Sequence, residues 1–426
     1  MPRLWKKPVK QRRTGPPRRA WRCRWPYLLP LLLALSACTS LPELPLPPIA
    51  WPFAQATPTP APRVVSLLGW SASPDENRVL QEAILAFEAT HPTLRVRGLL
   101  APDYATTLET AFLDNEPPDL FLLGAHQLAD FAAAQRIRPI PPALTAGLNI
   151  PPNLLPALSV DGVQICIPRD VATLAVYVNP RLFARKEAPL PQPGWTWDDF
   201  AAAARATTDA NFGLYGLVLT RDLSRLHTFL LQASTDADVW TGDDVRPALE
   251  FFTALYADGI AVEPGRVDST WNGEAFGRGK AAMTVEGPWL RAFLAREFPL
   301  LDYHVVELPI GPARRGVTAF VTCWVVGSTS TDPDAAFTLA AHLTSPTVTL
   351  AWADAAKSAP PDLNLAARWL ADHPDYAPFV NGLSYASPWT GGVDFSTRVL
   401  RLNRLLPDAA GDLDTFAATL AQLSED

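Results

Sequence analysis

Two stretches of this chain set an indole beside hydrogen-bonding side chains at a turn. In one, Glu286-Gly287-Pro288-Trp289 follows the apolar run at 281–285. Gly287 is flexible, Pro288 is locked in φ, and Trp289 opens a new helix, so an indole stands at the rim of a strand-to-helix turn. In the other, Trp70 and Ser71, with Asp75 close behind, follow the apolar run at 64–70. An indole so placed offers a flat face for stacking; the plainer reading is a core tryptophan under a loop. Asp170 and Glu286 supply two carboxylates, the minimum equipment for glycoside hydrolysis, although nothing in their spacing favours it. The histidines, His91, His126, His227, His304, His342 and His373, are scattered with no pair at helical or zinc spacing, which predicts no metal site. Gly279-Lys280 lacks both the glycine five residues earlier and a following Ser or Thr, so it is no phosphate-cradling loop.

The elements that must position these residues alternate. The run at 64–70 reads as a buried strand, and Ser73 with Glu76, bracketing Pro74, reads as a capping-box helix start. Val79, Leu80, Ala83, Ile84 and Phe87 then share one helical face, His91-Pro92 stops it, and Leu94 begins the next strand. A strand-helix-strand unit implies a parallel pair, and ligands of open α/β sheets sit beyond the C-terminal strand ends. That places Trp70, Ser71 and Asp75 at a cleft. A helix at 104–112, broken by Pro117-Pro118, leads to a strand at 119–123, which puts Gly124, His126 and Gln127 at another strand tip, with Asp119 as a loop brace. Further strands are expected at 163–167 after the Asp161-Gly162 turn, and at 174–178, 215–219 and 319–326. Helices are expected from Thr196 or Asp198 and over 334–343.

The chain has 426 residues, 48% hydrophobic and 19% charged, which is globular and long enough for two lobes. Its N-terminus carries ten basic residues within the first 24 and no acidic one, then the apolar run Tyr27 to Leu35 and Ser36-Ala37-Cys38. This is an export leader, its apolar run too short to span a hydrocarbon core of ~30 Å. Leu35-Ser36-Ala37-Cys38 resembles the lipobox of bacterial lipoproteins, which implies diacylation of Cys38 and anchoring by acyl chains. Losing the ten basic residues of the leader takes the formal net charge from −7 to −17, which argues against nucleic acid as a partner. Residues 39–62 hold eight prolines and read as a semi-extended tether.

Phe276, Gly277, Gly279, Lys280, Ala281, Ala282 and Met283, followed by Glu286-Gly287-Pro288-Trp289, resemble the pattern of carbohydrate-type extracellular solute-binding proteins of ABC importers, the maltose-binding-protein-like group. Matching segments follow one another in order over about 64–361. Pro118-Asp119 precedes a strand, and Pro168-Arg169-Asp170 is similar to that family's first crossing between lobes. Tyr177 and Asn179 end a strand, with Val178 intervening where the family pairs the two directly. The stretch at 308–326 resembles the return crossing, with Thr322-Cys323-Trp324 replacing glycines, bulk that would narrow the cleft. Ser358 to Pro361 resembles the third crossing.

The resemblance implies an α/β, two-lobed periplasmic-binding-protein-like fold, each lobe a mostly parallel sheet flanked by helices, joined by crossing hinge strands. The chain would divide into a lipoprotein signal peptide at 1–37, lipidated Cys38 and tether at 38–62, an N-lobe at 63–166 plus 325–357, and a C-lobe at 167–324 plus 358–426. It implies no enzyme and no cofactor, but a monomeric, lipid-anchored binding subunit on the outer face of the membrane. This subunit would capture a sugar or oligosaccharide between the lobes and deliver it to an ABC permease. Trp70, Trp289 and Trp324 would offer faces, with Trp240 near a second aromatic platform. Ser71, Asp75, Gly124, His126, Gln127, Arg169, Asp170 and Glu286 would supply polar contacts. A secreted glycoside hydrolase and a same-fold binder of another polar solute stand as alternatives. Cys166 and Cys323 would both lie on crossing strands; they are read as buried free thiols, a disulfide being the alternative because it would stiffen strands that must bend.

Overall fold

The structure is a computed structural model that describes residues 61–235, 240–241 and 245–423. Cys38 and the leader lie outside the described residues, as does most of the proposed tether. Among the described residues no helix is long and apolar enough to cross a membrane.

β1 (Arg63–Trp70) is followed by the helix Pro74–Thr90, β2 (Leu94–Ala101), the helix Tyr104–Leu113 and β3 (Leu120–Gly124). The first helix starts as its sequence dictates: Ser73 accepts from the Glu76 amide, Glu76 returns a bond to the Ser73 amide, and Pro74 occupies the first turn. Val79, Leu80, Ala83 and Phe87 are its buried face. Both β2 and β3 lie parallel to β1. Asp119 braces the start of β3, its Oδ2 accepting from the Ser66 amide at 2.8 Å and the Ser66 hydroxyl at 2.6 Å.

The chain then makes a small hairpin of β4 (Ser159–Val160) and β5 (Val163–Gln164) about Asp161 and Gly162, both at positive φ. It next enters β6 (Ile167–Thr173) and β7 (Ala175–Val178). Asn179 caps the following helix, Pro180–Arg185, accepting from the amides of Arg181 and Leu182. The helix Trp197–Thr207 has a capping box between Thr196 and Asp199. β8 (Tyr215–Val218), β9 (Ala261–Val262), β10 (Ala281–Glu286) and β11 (His304–Val306) complete a second sheet in the order β11-β7-β10-β8-β9. In it β10 is parallel to β8, and β8 to β9, while β7 is antiparallel to β10 and to β11. β12 (Val317–Val326) returns to the first sheet, antiparallel to β3 and β6 and parallel to β13 (Ala386–Pro388).

Register decides how the two sheets meet. Thr322 of β12 lies opposite Gly124, the last residue of β3, so residues 317–321 project beyond the C-terminal end of β3. β6 runs beside that projection, with Thr173 opposite Ala319. One residue later β7 begins, and its Ala175 lies opposite Glu286, the last residue of β10. The C-terminal edges of the two sheets therefore face one another across β6 and β12. The lobe boundaries expected at 166/167 and 324/325 fall at the first residue of β6 and within β12, and the chain passes to the second sheet at Leu174, between β6 and β7.

A hydrophobic cluster under the helices Pro74–Thr90, Pro333–Leu343 and Pro346–Ala356 covers one face of the first sheet. A larger one joins its other face to the helices Leu223–Ala233 and Val245–Ala257 and to the C-terminal helices. Cys166 and Cys323 are bonded as a disulfide, which corrects the expectation of free thiols. Cys323 pairs with Leu123 and Pro168, inside the first sheet and below the projecting part of β12. The bridge thus ties the base of the crossing, one strand position short of the projecting residues 317–321.

Candidate functional site

At the edge of the first sheet Trp70 ends β1, half-buried. The Tyr104 ring meets it edge-on with centroids 5.3 Å apart, and the Arg169 guanidinium lies 5.0 Å from its ring centre. Arg169, from β6, also covers Trp352 at 4.3 Å and bonds Asp170 Oδ2 at 2.6 Å. Trp352 donates its indole N–H to the same oxygen at 3.1 Å. Arg169 and Asp170 are both buried and largely occupied by each other and by indoles. Glu76 belongs to this group: burial raises its pKa, and the neighbouring Arg169 charge works against that rise. Ser71 is half-buried and accepts from Asn77 Nδ2, whereas Asp75 is solvated, its side chain 72% exposed and paired with Arg78.

Gly124, His126 and Gln127 gather at the tip of β3. The Gly124 amide donates to Gln127 Oε1 at 3.0 Å, and the His126 ring lies where a β-carbon on Gly124 would stand, 2.5 Å away. Glycine is needed there for that packing. Burial lowers the His126 pKa.

At the edge of the second sheet the turn after β10 presents Trp289, 37% exposed. A β-carbon on Gly287 would lie 2.2 Å from the Trp289 ring, so the glycine is required for the indole to fold back over its own turn. The indole N–H donates to Glu286 Oε2 at 2.8 Å. Glu286 is only 2% exposed, and its other oxygen accepts from Arg225 Nη2 at 2.7 Å and Asn272 Nδ2 at 2.8 Å. Both carboxylate oxygens are thus taken up inside the protein. Glu286 presents an indole rather than reaching solvent itself.

Between the edges, Phe320 projects from β12 and meets Trp289 edge to face, centroids 5.9 Å apart and planes at 71°. Phe320 and Thr322 are half-buried. Trp324 lies on the same face of the strand but further along, beneath the three helices of the first lobe. It is 1% exposed and packs with Leu80, Ile167 and Trp352. The expectation that Trp324 offers a stacking face is therefore corrected. The bulk at the crossing comes from Phe320, because position along β12 decides which side chains lie beyond the helices. Trp240 is likewise a packing residue here: its ring stacks on His227 at 4.8 Å, abuts Trp389 at 6.0 Å and is 9% exposed.

Sequence reasoning missed Phe320, Arg225, Asn272, Trp352 and Glu76 as members of this region. Phe320 was hidden in a ten-residue strand that is apolar almost throughout. Arg225 and Asn272 sit in no motif, and only the return of β8 and β10 to one edge brings them to Glu286. Glu76 had a signal, since its capping box fixes it beside the end of β1.

The family model described as bacterial extracellular solute-binding protein matches residues 82–378. A binding protein of Brucella abortus (strain 2308) is 26% identical over 263 residues, covering 58% of this chain and 63% of the relative, and one from Brucella suis biovar 1 matches equally. The chain thus matches less than two thirds of the length of these curated relatives. Among solved structures, an ABC substrate-binding protein from Listeria monocytogenes in complex with cycloalternan aligns with a TM-score of 0.71 at 19% identity, covering 85% of this chain and 97% of that one. The sugar-binding protein of Xanthomonas citri aligns with 0.71 at 22% identity, covering 84% and 95%. The maltose-maltodextrin binding protein of Alicyclobacillus acidocaldarius gives 0.69 at 21%, covering 84% and 99%. These neighbours share the two-lobed periplasmic-binding-protein fold. Because the stretch matched by the family model takes in most of both sheets and both crossing strands, this chain belongs to the bacterial extracellular solute-binding protein family.

Proposed function

We propose that this protein is the lipid-anchored solute-binding subunit of an ABC importer, capturing a sugar or oligosaccharide between two lobes and passing it to a membrane permease. The observation that carries the reading is Trp289. Its exposed indole is held by a buried carboxylate, flanked by Phe320, and set on the edge that faces the one bearing Trp70. Sugar C–H faces stack on such rings, and a flat ring that is already held in place loses little freedom on binding. The solved neighbours named for cycloalternan, sugar and maltodextrin support the cargo class. The two sheets are the cores of the two lobes, with β6 and β12 as the hinge. Cys38 is the lipid attachment point on the outer face of the membrane, and the protein works as a monomer.

A hydrolase reading is disfavoured by the carboxylates themselves. Asp170 is bonded to Arg169 and Trp352, and Glu286 to Arg225, Asn272 and Trp289, so neither is placed to protonate a leaving group or attack an anomeric carbon. A thermal-shift screen over mono- and oligosaccharides, followed by calorimetric titration, tests the proposal. One or more sugars should raise the melting temperature without being consumed, and W289A should weaken that sugar at least about tenfold, as removal of a central aromatic anchor does. Stabilisation by amines or other polar solutes and by no sugar would replace the cargo class, and turnover of a glycoside would replace the binder.

A further inference from the structure

Arg225 sits at the start of the helix Leu223–Ala233, far from Trp289 in sequence, yet only one residue separates the two in space. Asp222 caps that helix, accepting from the Arg225 amide at 2.9 Å and from the Ser224 hydroxyl at 2.7 Å. The Arg225 guanidinium donates to Ser224 Oγ at 2.9 Å and to Glu286 Oε1 at 2.7 Å. Glu286 then accepts the Trp289 indole N–H through its second oxygen. The same helix start is tied to the crossing strand: Thr318 of β12 donates its hydroxyl to the Ser224 carbonyl at 3.2 Å and its amide to Thr228 Oγ1 at 3.2 Å. A chain of polar contacts therefore runs from β12 through the helix start and Glu286 to the exposed indole.

Resting on the reading that Trp289 meets ligand, we propose that Arg225 is a positioning residue for that indole, acting through the Glu286 carboxylate and never touching ligand itself. Among the described residues, Glu286 is buried with Arg225 as its ion-pair partner and with the Asn272 amide and the Trp289 indole as further donors. Burial alone would make the guanidinium easier to deprotonate, but the Glu286 and Asp222 charges outweigh it and keep the ion pair intact. Without the guanidinium the carboxylate is left buried with no countercharge. It then draws in water and holds the indole N–H less firmly. Trp289 has no comparable restraint on its exposed side, so its ring plane becomes free to turn.

The test uses the mature protein with its tryptophan indoles labelled with nitrogen-15, the Trp289 signal being identified by its loss in W289F. In R225M the Trp289 N–H signal should move away from its hydrogen-bonded position and exchange faster with solvent, and R225K, which restores the charge, should bring it part of the way back. The charge-free pair R225M/E286Q provides a second variant that strands no buried charge and should show the same indole signal change. With maltotriose as probe, R225M should weaken binding about tenfold in the wild-type background but less than about twofold in a W289A background, the non-additivity expected of a residue that acts through another. An unmoved Trp289 signal in all three variants, or equal losses in both backgrounds, overturns the proposal. If maltotriose does not bind the wild-type protein, that counts against the sugar cargo, and the indole signal alone then decides the role of Arg225.

Discussion

Glu286 uses both of its oxygens within the protein, and this determines what its removal should do. E286A removes the buried partner of the Arg225 guanidinium and leaves it only the half-buried Asp222, so unfolding free energy measured in urea should fall by up to about 3–5 kcal/mol, the range for broken buried pairs. E286Q removes the same charge but keeps the shape and an acceptor oxygen, so it should cost less, a difference that reports packing and hydrogen bonding rather than charge. His227 offers a second prediction. Burial against Trp240 depresses its pKa from the ordinary 6.5 to about 3. As pH falls the unfolded chain takes up this proton before the folded one, so the stability of the neutral ring is fully present above about 6.5 and is lost progressively towards pH 3. Urea midpoints should show this as a slope of about 1.4 kcal/mol per pH unit in that window that H227Q lacks; equal slopes in both proteins would show that His227 does not titrate this way. At this scale the residue types were legible and their partners were not. The turn that displays Trp289 could be read from Gly287-Pro288, but Arg225 and Asn272 meet Glu286 only because β8 and β10 end at the same edge.

The crossing strands are the elements on which the site depends. The disulfide between Cys166 and Cys323 joins the entry to β6 with β12 and closes a loop of 157 residues. Reduction, or the C166S/C323S pair, should lower unfolding free energy by about 2–4 kcal/mol through the freedom returned to the unfolded chain. Because the bond lies below residues 317–321, it should leave the ligand affinity of the folded protein almost unchanged, which titration of the reduced protein checks. A large loss of affinity would mean that the bridge sets the geometry of the cleft. Most elements were plain in the sequence: the capping box at Ser73, the helix start at Thr196, the turn at Asp161-Gly162, and the apolar strands at 64–70, 119–123 and 281–285 all formed where local chemistry put them. β12 was legible as a strand, but not how far along it the helices of the first lobe reach. Phe320 and Trp324 share one face of an almost wholly apolar run, so they could not be told apart until the helices were in place above one of them.

At the scale of the whole molecule, two facing sheet edges are joined through β6 and β12, and if these act as the proposed hinge a ligand that touches both edges favours the closed state by its differential affinity. Saturating sugar should therefore lower the radius of gyration measured by small-angle scattering. At a hundredfold excess over Kd it should also add about 2.7 kcal/mol to unfolding free energy. Stabilisation without compaction would show that the ligand is held by one lobe only. W289A should reduce both effects together, since the indole belongs to one edge and the compaction needs two.

By itself the sequence determined the class of the molecule, an α/β chain with alternating strands and helices, and it determined the turns, because glycine, proline and capping side chains act over a few residues. Tertiary structure alone decided which buried charges answer one another, which cysteines bond and which aromatic on the crossing strand reaches open space. Those outcomes depend on register between strands more than a hundred residues apart, and a shift of one residue in that register would turn Phe320 inward and leave Trp289 without its neighbour.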